Sequence, residues 1–143
     1  MTEARRQFPA LLEKARHGEW QLIGRRGRSE AVLASAAELD ELLSTTYRFR
    51  PEVDLAEQGV GVWLPELETH GAGATLDDAL ADLADAMVEY AEDWVEHLRH
   101  AVNHAPRAGY VRRIQMAGDV AGVLAMLNRD GDAADEIRSA NPL

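Results

Sequence analysis

One long apolar stripe constrains this chain more than any other feature of its sequence. Leu76, Ala79, Leu80, Leu83, Met87, Tyr90, Ala91, Trp94 and Leu98 recur at the three- and four-residue spacing of a helical face, with acidic residues between them. Thr75-Leu76-Asp77-Asp78 supplies a capping-box start, so the pattern predicts a helix of about 28 residues ending near Pro106. Such a helix cannot stand alone: its stripe must be buried against a sheet or another helix.

Strand patterns precede it. Tyr47, Phe49 and Val53 suggest one strand, and Val60, Val62 and Leu64 alternate as a second, with Ala56-Glu57-Gln58-Gly59 as the turn between them. Pro65 ends the second strand, and Gly71-Ala72-Gly73-Ala74 leads into the helix cap. Beyond the long helix, Val120, Val123, Leu124 and Leu127 mark a further helix between Gly118 and Gly131. Residues 132–143 are polar and are expected to order only when bound.

Before Thr45 the pattern is different. Phe8, Leu11, Leu12 and Ala15 form a first helical stripe, closed by Gly18. Pro9 lies inside it, so this helix either starts near Phe8 or begins at Thr2 and kinks. Trp20-Gln21-Leu22-Ile23 and Ala31-Val32-Leu33-Ala34 read as two strands around an arginine-rich turn, Gly24-Arg25-Arg26-Gly27-Arg28. Ser35 and Glu38 then open a short helix that carries Leu39, Leu42 and Leu43. The chain is thus expected to be α+β, divided into a module at 1–46, a domain at 47–105 and a helical segment with tail at 106–143.

Charge divides along the same line. Residues 1–50 carry nine Lys+Arg against seven Asp+Glu, whereas residues 51–143 carry six against eighteen, so the two parts suit different partners. No apolar run approaches the roughly 18 to 20 residues of a membrane span, and nothing at the N-terminus resembles a secretion signal, so the cytoplasm is the expected compartment. The 143 residues include no cysteine, which removes disulfides, thiolate nucleophiles and Cys-ligated zinc.

Residues 1–44 resemble the N-terminal module of the Phd/YefM antitoxin family. The resemblance rests on Glu3-Ala4-Arg5, Leu11-Leu12, Leu22-Ile23-Gly24-Arg25, Ala31-Val32-Leu33-Ala34-Ser35 and Glu38-Leu39. That family usually opens with a short strand before this stretch, where the present sequence starts almost at Thr2. The resemblance implies a two-fold dimer on a palindromic operator, with Arg5 and Arg25 at the DNA. Residues 47–98 are similar to HicB-like antitoxin domains, in Arg50-Pro51-Glu52-Val53, in Gly61-Val62-Trp63-Leu64-Pro65-Glu66-Leu67, and in the run from Gly71 to Leu80. This second likeness implies a three-stranded sheet with a helix packed across it, a toxin as partner, and a separate DNA-binding domain.

Together these readings describe an antitoxin rather than an enzyme: a homodimer, or a higher even oligomer, that binds a toxin and represses its own operon. No catalytic residue, metal or cofactor is assigned. Arg5, Arg6, Arg25, Arg26 and Arg28 are the expected DNA contacts; surface solvation is their plain alternative, but all five are the residue whose planar fork reads a base edge. The acidic remainder suits a toxin with a basic cleft, which points to a ribonuclease, and Ile137 and Leu143 are the apolar residues of the tail expected to touch it. Asp93, His97, His100 and His104 would share a face of one continuous helix and could ligate a metal, although a polar stripe is the simpler reading. Asp77 and Asp78 read as capping carboxylates, and Trp63 and Trp94 as core residues. The rival readings are a dimeric protein-binding regulator without DNA binding, and a small metal-dependent hydrolase built on the His stripe.

Overall fold

A computed structural model describes the backbone of residues 2–140 and the side chains of residues 6–132. The chain divides into two compact units, Met1–Leu43 and Ser44–Leu143. The first holds helix α1 (Thr2–Arg16), an antiparallel hairpin of β1 (Gln21–Arg25) and β2 (Arg28–Leu33), and helix α2 (Ala36–Ser44). Helix α1 continues through Pro9, which resolves the open choice of start in favour of Thr2. Ser35 accepts the Glu38 amide at 3.4 Å, while the Glu38 carboxylate takes the Trp20 indole N–H at 3.1 Å instead of closing a full capping box.

The second unit holds a three-stranded antiparallel sheet, β3 (Glu52–Ala56), β4 (Gly59–Leu64) and β5 (Thr69–Gly73), in the order β3-β4-β5. Helix α3 (Leu76–Asp93) lies across it, as the HicB-like resemblance implies, and α4 (Ala108–Ala117) and α5 (Val120–Ala140) complete the unit. The Thr75 hydroxyl caps α3 by accepting the Asp78 amide at 3.2 Å. Phe49, Val62, Leu64, Leu83, Met87, Val111, Ile114, Val123 and Met126 form one buried cluster in which sheet and helices meet. Helix α3 packs mainly over β5, because that strand offers it glycine: a Cβ on Gly71 would collide with the backbone of Ala79 and Leu83, and one on Gly73 with that of Asp78 and Ala79.

Five expectations need correction. Tyr47 and Phe49 do not belong to a strand; the Tyr47 carbonyl is taken by Arg113 and the Phe49 amide by Asp130, and Pro51 has no N–H to give a ladder. Trp63 is 40% exposed, because strand alternation turns it outward between the buried Val62 and Leu64, whereas Trp94 is buried as expected. The long helix stops being α-helical at Asp93. One π-helical stretch (Trp94–Leu98) follows, the Arg99 amide reaching back to the Trp94 carbonyl, and the chain then turns. Residues 108–117, read without an element of their own, form α4. Helix α5 passes Gly131 and reaches Ala140, so most of the expected tail is helical, consistent with its alanines, Glu136 and Arg138. Leu143 and the side chain of Ile137 lie outside the described residues.

Candidate nucleic-acid interface

The hairpin of the first unit is built around its turn. Arg25 pairs with Arg28, leaving Arg26 and Gly27 as a two-residue connection with φ of 54° and 77°. Positive φ at both positions defines a type I′ turn, whose twist matches that of the flanking strands. Gly27 adopts this backbone freely, but an L-residue such as Arg26 sits there at a cost of roughly 1 kcal/mol. The register slips between Ile23 and Gly24, so that Glu30 is the extra residue of a bulge. Glu30 accepts the Arg25 Nε at 3.3 Å, a contact too exposed to contribute much stability.

Three guanidinium groups are therefore held on one tight turn. Arg25, Arg26 and Arg28 are all exposed, and Arg25 and Arg28 stand opposite each other across the ladder, where like charges are unfavourable. Within the hairpin the exposed Arg25–Glu30 ion pair offsets this repulsion only weakly, and it leaves the strained Arg26 as it is. A polyanion would repay both: it neutralises the charges and gains from their fixed geometry. Of the other arginines singled out by sequence, Arg6 is exposed on α1, and Arg5 lies on α1 with its side chain outside the described residues.

Among its described residues the first unit also buries little apolar side chain. Ala15 is its buried apolar residue among those described, while Phe8, Leu12, Trp20, Leu22, Ile23, Val32 and Leu42 are between 40% and 67% exposed. Leu22 and Val32 are cross-strand partners, so apolar exposure on the hairpin is contiguous.

In the second unit the His stripe is dispersed. His97 bonds Asp93 at 2.8 Å on the surface, and His104 has left the helix; its ring meets the Tyr90 hydroxyl at 2.8 Å and its carbonyl accepts the Trp94 indole N–H at 2.8 Å. Among the described residues, no three His, Asp or Glu side chains converge as metal ligands. What sequence reading missed is the cluster that replaces the stripe. Arg107 donates to the Tyr90 hydroxyl and the Leu67 carbonyl, both at 3.2 Å, and pairs with Glu68. Burial opposes its charge, but the Tyr90 and Glu68 bonds outweigh burial and hold its pKa above the ordinary value. Burial likewise raises the Glu66 carboxyl, against the opposing bonds from its own amide and that of Arg50, and raises the Tyr110 hydroxyl, with Glu66 adding to the effect.

A family model described as PHD-like, antitoxin of toxin–antitoxin, RelE/RelB, TA system, matches residues 1–129 and so spans both units. The chain belongs to this antitoxin family. It is accordingly an antitoxin of a toxin–antitoxin system, with a toxin as its partner, and not an enzyme. The antitoxin's fold is also that of a crystal structure from Syntrophomonas wolfei subsp. wolfei, described as an antitoxin part of a toxin/antitoxin system. That likeness has a TM-score of 0.64 at 16% identity and covers 87% of this chain and 91% of the other. No curated protein matches the antitoxin. No helix among the described residues is long and apolar enough to cross a membrane.

Proposed function

We propose that this antitoxin neutralises its toxin by direct binding through the second unit and represses its own operon by binding operator DNA through the first. In this reading the first unit is a Phd/YefM-like module and the second a HicB-like one. The observation that carries the DNA half is the type I′ turn, which fixes Arg25, Arg26 and Arg28 on one exposed point at a conformational and electrostatic cost. Arg5 and Arg6 would add contacts from α1, with the forked guanidinium of Arg5 or Arg25 suited to a base edge and the others to phosphates.

Dimerisation is supported by the exposed apolar side chains of the first unit. A unit with seven large apolar side chains at least 40% exposed must cover them against something, and a second copy would both do so and set two arginine turns at the spacing a palindrome needs. Toxin binding by the second unit is supported by its charge. Residues 44–143 hold eight arginines and no lysine against eighteen acidic residues, a surplus that suits the basic cleft of a ribonuclease. Ile137 and Leu143, the apolar residues of the C-terminal stretch, would add contacts to the toxin.

The test uses the full chain with Arg25, Arg26 and Arg28 all changed to Ala. Operator binding should fall to the level of random DNA while the toxin encoded beside it remains neutralised. Unchanged operator affinity would remove the turn from the interface, and an antitoxin that never binds its operator would leave the protein-binding regulator.

A further inference from the structure

The outer edge of the second unit's sheet is unusually open. In the order β3-β4-β5, one side of β3 has no strand beside it among the described residues. Its register with β4 pairs Val53 with Val62 and Leu55 with Val60, so Val53 and Leu55 belong to the inner face, the face that β4 buries with Val62 and Leu64. Yet Val53 is 50% exposed and Leu55 is 77% exposed. The cause lies on the far side of the sheet: α3 is drawn onto β5 by Gly71 and Gly73, so the helical layer stops short of β3. Two inner-face apolar residues are left over the gap.

The opposite face of the same strand carries Glu52 and Asp54, both exposed. The ladder between β3 and β4 is regular, without a bulge, and β3 contains neither proline nor lysine. Apart from its two carboxylates, the strand lacks the devices that normally keep an exposed edge from pairing. A second copy of this chain is a poor occupant, since two-fold antiparallel pairing would bring the Glu52 and Asp54 carboxylates of both copies onto one face.

Resting on the reading that the second unit binds the toxin, we propose that β3 is where it does so, by adding a strand of the toxin to the sheet. The chemistry of the edge defines that strand: extended, with apolar side chains facing Val53 and Leu55 and basic ones alternating with them to face Glu52 and Asp54. Main-chain bonds supply affinity, and the alternation fixes register, since a one-residue slip would set basic groups over the apolar gap.

The experiment is hydrogen exchange on the full-length antitoxin, alone and in complex with the toxin expressed from the adjacent gene, together with Asp54→Lys and Leu55→Asn. The amides of residues 52–56 should exchange at least about tenfold more slowly in the complex, with little change in β5, which α3 already covers. Asp54→Lys should weaken toxin binding about tenfold or more, mainly through slower association, and Leu55→Asn mainly through faster dissociation. Both side chains are exposed, so the circular dichroism of the variants should match the parent.

A complex that forms and neutralises while β3 exchange stays unchanged overturns the edge assignment and leaves toxin binding by this antitoxin intact. Failure of the unmodified chain to bind the toxin overturns the parent reading instead. Protection, in the free protein, of the β3 amides that point away from β4 would show the edge already occupied, by another copy if protection rises with concentration and by this chain itself if it does not. Either result also rejects the proposal.

Discussion

Arg113 and Asp130 form a two-pronged ion pair, with guanidinium-to-carboxylate distances of 2.6 and 3.0 Å, in which both residues are almost wholly buried. The pair also closes the backbone of the segment entering the sheet. Arg113 donates to the Tyr47 carbonyl at 3.0 Å, Asp130 accepts the Phe49 amide at 2.8 Å, and the Arg113 guanidinium lies over the Phe49 ring. Helices α4 and α5 are thereby joined to each other and to a stretch of chain that has no ladder of its own.

Removing one partner should be severe. Asp130→Ala leaves a buried guanidinium uncompensated, and a loss of about 3 to 5 kcal/mol is expected in denaturant unfolding of the second unit. The double change Arg113→Met with Asp130→Leu should recover only part of this, because it still orphans the Tyr47 carbonyl and the Phe49 amide. Full recovery would mean that those two backbone groups find other partners.

Glu66 should make stability depend on pH in a definite direction. Burial raises its carboxyl pKa in the folded state, and its Oε2 is buried without a partner while Oε1 accepts the Arg50 amide at 2.8 Å. The folded chain therefore holds this proton more tightly than the unfolded chain. Its contribution to stability falls as pH rises from the ordinary carboxylate range through the raised value, and the cost is complete above that. Glu66→Gln keeps an acceptor for Arg50 and removes the charge. Melting curves should show it stabilising at pH 7 and close to neutral at pH 4; equal effects at both would rule out the charge as the cause.

Arg26 should trade stability against DNA affinity. Asn is the favoured partner of Gly in a type I′ turn, so Arg26→Asn should stabilise the hairpin by up to about 1 kcal/mol while weakening operator binding and lowering its salt dependence by about one phosphate contact. Thermal melts and titrations at several salt concentrations read the two effects separately. A variant that gains stability with unchanged DNA affinity would leave the positive φ of Arg26 without a functional reason.

The first unit should report on its own assembly. Given its exposed Phe8, Leu22, Ile23 and Leu42, its melting temperature should rise with protein concentration, and Leu22→Lys should abolish that dependence. A concentration-independent transition in the native chain would contradict dimerisation through this surface.

Local signals in the sequence located the arginine hairpin, the β3–β4 hairpin and the Thr75 cap, because turn chemistry and capping act within a few residues. Strand β5 was hidden by its composition: glycine and alanine are poor strand residues, and they suit it only because a helix backbone rests on them. Helix α4 was obscured by Arg113, a charge in a core-facing position that makes sense only with Asp130, which is distant in sequence. The π-helical stretch left no pattern, since the stripe through Trp94 and Leu98 reads equally well as an α-helix. Exposure of Arg25, Arg26 and Arg28 could be anticipated from the turn. The bare edge of β3 could not, although Glu52-Val53-Asp54-Leu55 alternates plainly, because what covers a strand depends on where the next layer comes to rest.

That dependence reaches the openness of the edge from its far side. The close seat of α3 on β5 is set by two side chains that are missing, at Gly71 and Gly73, and any residue placed there would wedge the helix away from β5. Positions that no partner strand could touch would then decide whether Val53 and Leu55 are available to it. Selection on toxin recognition would act on those glycines at a distance, and a lineage that exchanged them for larger residues would be expected to change its toxin without altering a single residue of β3.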